Sequence, residues 1–138
     1  MARFSLLGEH ARVWLVLGAA ESLLSSGELR PRWARATGAV AGTYAANTAL
    51  KLLVRRPRPQ LPGLPPLTST PTRFSFPSAH SSTSFAAALA YSRAGLPAAP
   101  LYLLASGLAL SRLYLGVHYP SDVLTGVLFG LAIAAVAT

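Results

Sequence analysis

The chain contains no cysteine, which excludes disulfides, thiol nucleophiles and zinc–thiolate sites together. Carboxylates are almost as scarce. Four Asp and Glu among 138 residues are too few to build an oxygen cage for Mg²⁺ or Ca²⁺, so no metal and no cofactor is expected. Charge of either sign is low: 12% of the residues are charged, against about a quarter in an ordinary soluble domain. That is too little to cover a water-facing surface. The remainder is apolar, with 52% hydrophobic residues and a mean hydropathy of +0.45. The length suffices for one domain, and the composition assigns residues 1–138 to a single integral membrane domain.

The formal net charge is +8 and the isoelectric point is near 11.2. In a soluble domain such a balance would point to nucleic acid. Here the basic residues sit in short segments between apolar runs, so anionic lipid headgroups and a phosphate substrate are the expected partners, and nucleic acid is not.

Five apolar runs are present: Ala11–Ser26, Ala36–Val54, Ser78–Ala94, Pro97–Gly116 and Pro120–Thr138. Each is close to the roughly 20 residues that cross a bilayer as a helix. They predict an all-α bundle of about five transmembrane helices, with its active site at one membrane interface and its termini on opposite sides. The first run is read as a retained span rather than a signal peptide, since nothing downstream resembles a secreted domain. Glu21 within it should face a polar cleft or an arginine, or snorkel from the span end. Met1–His10 reads as an interfacial segment in which His10 is incidental. Gly27–Arg35 reads as a basic hinge. Small-x-x-x-small pairs at Gly38/Gly42 and Gly126/Gly130 would let membrane helices approach closely and leave room for a homo-oligomer.

Arg55–Pro77 holds seven of the eleven prolines and cannot be a continuous helix. Its apolar residues Leu61, Leu64, Leu67, Phe74 and Phe76 make it a constrained lid at the membrane surface rather than a solvated linker.

The chemistry concentrates in Ser111–Asp122, which carries Arg112, His118 and Asp122. Tyr119-Pro120 reads as the mouth of a helix, because proline is tolerated in the first turn. A carboxylate four residues after the histidine can fix the imidazole tautomer and make its other nitrogen a better nucleophile. Arg112 supplies a planar fork for an oxyanion such as phosphate. A lone histidine beside an apolar segment is more often a structural hydrogen-bonder, but two other stretches change those odds. They are Lys51-Leu-Leu-Val-Arg-Arg-Pro-Arg58-Pro59 and Pro77-Ser78-Ala79-His80. Counting helices puts all three stretches on one membrane face. Lys51, Arg58 and Arg112 as cations, with Ser78 as a donor at a helix start, then describe an oxyanion pocket flanked by His80 and His118.

The spacing K-x6-R-P, then P-S-x-H, then S-R-x5-H-x3-D resembles the type 2 phosphatidic acid phosphatase superfamily of lipid phosphatases. The resemblance runs from Lys51 to Asp122, about half the chain. It implies that His118 attacks phosphorus to form a phosphohistidine while Asp122 orients it. It implies that His80 protonates the leaving group and then activates water. Lys51, Arg58, Ser78, Ala79 and Arg112 would hold the phosphoryl oxygens, without a metal. Two departures stand out. Ala79 replaces the usual glycine of P-S-G-H, and the family's membrane enzymes usually have six spans rather than five.

Within the superfamily, the short chain and its Ser75–Ala88 run resemble small bacterial polyprenyl-phosphate enzymes of the cell membrane. Decaprenylphosphoryl-5-phosphoribose phosphatases come first, on the Ala-, Arg- and Pro-rich composition, ahead of undecaprenyl diphosphate phosphatases. Phosphatidic acid and phosphatidylglycerophosphate stay open as substrates. Arg55, Arg56 and Arg73 read as headgroup or solvated residues, with Arg55 and Arg56 able to reach a second phosphate. A vanadate-dependent haloperoxidase shares the same constellation, but hydropathy argues against so soluble a class; a non-catalytic binder of anionic lipid is the remaining alternative. Arg3, Arg12, Arg55, Arg56 and Arg73 on the site side balance Arg30, Arg32, Arg35 and Arg93 on the other, so charge does not fix the orientation.

Overall fold

The computed structural model describes residues 2–60, 67, 68 and 70–138. Leu61 and Leu64 of the expected lid, Met1 of the expected interfacial segment and the side chain of Arg3 lie outside the described residues. The described residues form α1 (Ala2–Ser5), a 3₁₀ segment (Leu6–Ala11), α2 (Arg12–Leu24), α3 (Leu29–Val54), α4 (Ala79–Ala94), α5 (Ala98–Tyr114) and α6 (Pro120–Ala137). One isolated antiparallel bridge joins Pro57 to Phe74. The all-α expectation holds among them.

Local chemistry sets the boundaries. Ser78 caps α4, its Oγ accepting from Ser81 N at 3.4 Å, and Gly95 ends that helix at φ 127°, a conformation that favours glycine. Pro97 caps α5, and Pro120 opens α6 where no intrahelical N–H is needed. One expectation is corrected. The stretch read as a basic hinge is largely helical, because Pro31 falls in the first turn of α3, where proline fits. The true connection is only residues 25–28.

α4 runs through the middle of the bundle, packed by α3, α5 and α6. Helices buried on every side are normally apolar, yet Ser81, Ser82, Thr83 and Ser84 are all fully buried. Their hydroxyls have partners. Thr83 Oγ1 donates to Ala79 O at 2.8 Å, and Ser84 Oγ accepts from Trp14 Nε1 at 2.9 Å. Ser82 Oγ accepts from Asn47 Nδ2 at 2.9 Å. The small side chains let α6 close in. A Cβ at Gly126 would stand 2.7 Å from Ser78 O, and one at Gly130 would overlap the Ser82 carbonyl.

The α6 glycine pair is therefore consumed inside the chain, which removes one of the two reasons for expecting a homo-oligomer. Gly38 and Gly42 face open space. Gly130→Ala should accordingly cost about 1–3 kcal/mol by overpacking, whereas Gly42→Ala should be neutral or gain roughly 0.5–1 kcal/mol from helix propensity. Thermal unfolding of the detergent-solubilised variants reads the difference; equal midpoints would refute the α4–α6 contact.

Among the described residues, α6 alone is long and apolar enough to cross a membrane by length and composition. α2, with 13 residues, is about 20 Å long. α3 is 26 residues long but carries Arg30, Arg32, Arg35 and Lys51. Glu21 is half-buried in the last turn of α2 and forms no ion pair among the described residues.

Candidate active site

The site is assembled where α3 and α5 end and α4 and α6 begin. α3 stops at Arg55, which turns the chain at φ 53° and folds its Nε back onto Leu52 O at 2.8 Å. The Pro57–Phe74 bridge, with Ser75 N donating to Arg56 O at 2.8 Å, then holds both ends of the long loop over the helix ends. This brings Lys51, in the last turn of α3, under the loop carbonyls. Its Nζ donates to Phe74 O at 3.3 Å and Ser75 O at 3.4 Å. Arg58 is fixed by Nε to Thr72 O at 2.9 Å and Nη1 to Val117 O at 2.8 Å.

The same Arg58 Nη1 lies 3.2 Å from His118 Nε2. A guanidinium has no lone pair to offer, so Nε2 is the acceptor and the proton of the neutral ring is on Nδ1. That nitrogen faces Asp122 Oδ2 at 3.5 Å, an alignment too long for a good hydrogen bond without substrate. Asp122 is fully buried. Its Oδ2 accepts from Tyr119 N and its Oδ1 from Arg56 Nη1, each at 2.9 Å. Burial pushes the His118 pKa down to about 4; Asp122 opposes this, and Arg58, Lys51 and Arg112 reinforce it. His118 is thus neutral near pH 7, with its lone pair on Nε2. Burial also lowers Arg58 from its ordinary value, Asp122 opposing.

His80 occupies the first turn of α4, and its Nε2–H donates to the backbone carbonyl of Ser5 at 2.9 Å. Gly8 packs closely against the imidazole, where a Cβ would stand 2.6 Å from Cδ2. Arg112 Nη1 donates to Ser5 Oγ, and Arg112 Nε is buried without a partner among the described residues. A buried, unpaired guanidinium donor is costly unless a ligand engages it.

Lys51, Arg58, Ala79, His80, Arg112 and His118 line one cavity of about 100 Å³. Asp122 sits behind His118. Ser78 does not line the cavity: it is fully buried, and its Oγ accepts from Ser81 N and from Ser81 Oγ at 3.0 Å. Arg56 is placed otherwise than as a headgroup or second-phosphate residue. It bonds Asp122 and Ser121 and stacks 4.1 Å over Tyr119. Sequence reasoning also missed Ser5, whose contribution is partly a backbone carbonyl and so leaves no residue signal. It set His10 aside as well, although His10 lines the cavity beside Glu9.

Residues 32–138 match the family model described as the PAP2 superfamily. The chain is 46% identical over 120 residues to a protein of Mycolicibacterium smegmatis named decaprenylphosphoryl-5-phosphoribose phosphatase, covering 86% of this chain and 65% of that one. It is 42% identical over 130 residues to the protein of the same name from Mycobacterium tuberculosis, covering 94% and 72%. The chain therefore spans about two thirds of the length of the curated relatives it matches. A solved structure has the same fold, with a TM-score of 0.75 over 97% of this chain and 71% of that one at 22% identity. It is described as the first transmembrane PAP2 type phosphatidylglycerolphosphate phosphatase from Bacillus subtilis.

Proposed function

The chain belongs to the PAP2 superfamily, and on that footing we propose that it is a metal-independent lipid phosphate phosphatase of the bacterial membrane. Its substrate is a decaprenylphosphoryl-5-phosphoribose-type lipid, as in the names of its mycobacterial relatives. The observation that carries the chemistry is the His118 ring. Nε2 carries a lone pair aimed at a cation cluster, and Nδ1–H faces a carboxylate held from two other sides.

A phosphoryl group entering the cavity displaces Arg58 Nη1 from Nε2 and pairs with its charge. Lys51, Arg58 and the free Nε of Arg112 bind the non-bridging oxygens, where charge spreads in the transition state. Ser78 contributes by capping α4, whose N-terminal dipole and Ala79 backbone face the same oxygens. His118 Nε2 attacks phosphorus as the P–O ester bond breaks. Asp122 takes up the growing charge on Nδ1–H. His80, with Nε2–H held by Ser5 O, takes up at Nδ1 the proton brought by the phosphate monoanion and passes it to the leaving oxygen. The same nitrogen then removes a proton from water, whose oxygen attacks phosphorus, breaks the P–N bond and releases inorganic phosphate.

The bundle lies in the bilayer as five helices. Leu23, Leu24, Leu53, Leu103, Leu124, Leu128 and Val136 are all more than half exposed, an apolar belt that suits lipid rather than water. At the end away from the site, Arg32, Arg35 and Arg93 border a groove of about 390 Å³ suited to anionic headgroups. A diphosphate substrate is less well served, because Arg55 and Arg56 are both engaged away from the cavity.

Presenting purified protein with the phosphoribosyl polyprenyl lipid, a polyprenyl diphosphate, phosphatidic acid and phosphatidylglycerophosphate, and measuring released phosphate, tests the reading. The first should give the highest kcat/KM, unchanged in EDTA and inhibited by vanadate. Activity lost in EDTA and restored by Mg²⁺ would sink it.

A further inference from the structure

The cavity has a second wall that the phosphate chemistry does not use. Glu9, His10, Tyr44 and Thr48 line it beside the cations, with Glu9 within electrostatic reach of Arg112. Tyr44, Thr48 and Lys51 succeed one another at i, i+4 and i+7 on α3, so they share one helix face. A ligand held at Lys51 therefore continues past Thr48 to Tyr44. The partner wall comes from the segment before α2. His10 Nδ1 and Tyr44 Oη are hydrogen-bonded at 2.6 Å, and their rings meet edge to face at 6.0 Å. His10 and Ala11 both have positive φ, 52° and 56°, a conformation that side chains other than glycine adopt only when the surroundings enforce it. The match to the superfamily model begins at residue 32, so Glu9 and His10 lie outside what that model describes.

We propose that Glu9, His10, Tyr44 and Thr48 form the leaving-group subsite and select a polyhydroxylated group such as a pentose. This deepens the reading given under Proposed function and rests on it. A carboxylate, an imidazole, a phenol and a hydroxyl offer both acceptors and donors, the set that sugar hydroxyls require. The hydroxyl hydrogen of Thr48 is already given to Tyr44 O at 2.9 Å, which leaves its oxygen to accept. With Tyr44 O–H donating to Nδ1, His10 keeps Nε2–H as a donor. A lipid tail has no use for such a wall. Polar groups built to pair with a substrate hydroxyl discriminate strongly, because without it they are left unpaired.

The test compares kcat/KM for the phosphoribosyl polyprenyl lipid with that for p-nitrophenyl phosphate, whose leaving group carries no further hydroxyl. Tyr44→Phe, Glu9→Gln and His10→Gln should each lower the ratio of the two about ten-fold, the worth of one hydrogen bond. A ratio within two-fold of wild type in all three variants overturns the subsite, whether both activities persist or both fall together. Wild-type protein that hydrolyses p-nitrophenyl phosphate but not the phosphoribosyl lipid overturns the substrate reading itself, a separate and recognisable outcome.

Discussion

His118→Ala should abolish phosphate release, by at least about 10⁴-fold, since it removes the proposed nucleophile and leaves only binding and electrostatic stabilisation. Fold and substrate binding should survive, because His118 contributes no helix cap and its one donor faces Asp122 at 3.5 Å. Wild-type protein quenched during turnover of a ³²P-labelled substrate should retain acid-labile, base-stable label; His118→Ala should retain none. The pH profile supplies an independent readout. On the proposed mechanism the attacking ring must be neutral, so activity is lost as pH falls through the pKa of His118 in the free enzyme. Burial pushes that value down to about 4, so the acid limb of kcat/KM should lie near 4 rather than at the ordinary histidine value of about 6.5. Substantial activity in His118→Ala, or label retained without the imidazole, would remove His118 from the role proposed for it.

Much of this arrangement was legible in the chain before its fold was known, and the rest was not for identifiable reasons. Motifs made of side chains with chemical signatures could be read: Lys51 and Arg58, Ala79 and His80, Arg112 and His118 come onto one cavity from stretches up to about seventy residues apart. Helix boundaries marked by Ser78, Pro97 and Pro120 could be read as well. Arg55 and Arg56 could not be told apart, because adjacent arginines look alike until the Pro57–Phe74 bridge turns one back onto its own helix and the other toward Asp122. Pro31 reads as a hinge in the sequence because a proline looks alike as a breaker and as a first-turn residue. Ser5 was invisible because every residue has a carbonyl. The number of spans is the hardest case. The serines of α4 and the arginines of α3 dilute two central helices until α6 alone passes on composition.

His80→Ala should separate the two chemical steps. Its Nε2 is tied to Ser5 O, so its exchangeable site is Nδ1, and the two tasks proposed for that nitrogen differ in what they demand. Expelling an alkoxide from a sugar or lipid ester needs a proton, so the variant should lose roughly 10²–10⁴-fold on such substrates. Expelling p-nitrophenolate, a much weaker base, needs almost none. Formation of the phosphoenzyme from p-nitrophenyl phosphate should therefore proceed at a rate near that of wild type. Its breakdown should not, since no base remains to activate water. The expected result is a stoichiometric burst of p-nitrophenol followed by near-arrest, with ³²P accumulating on His118. His80→Gln, which can keep the bond to Ser5 O without carrying an exchangeable proton, should behave the same way and rules out collapse of the first turn of α4 as the cause. An equal loss on both substrates, with neither burst nor trapped label, would show that His80 supports the site without handling the proton.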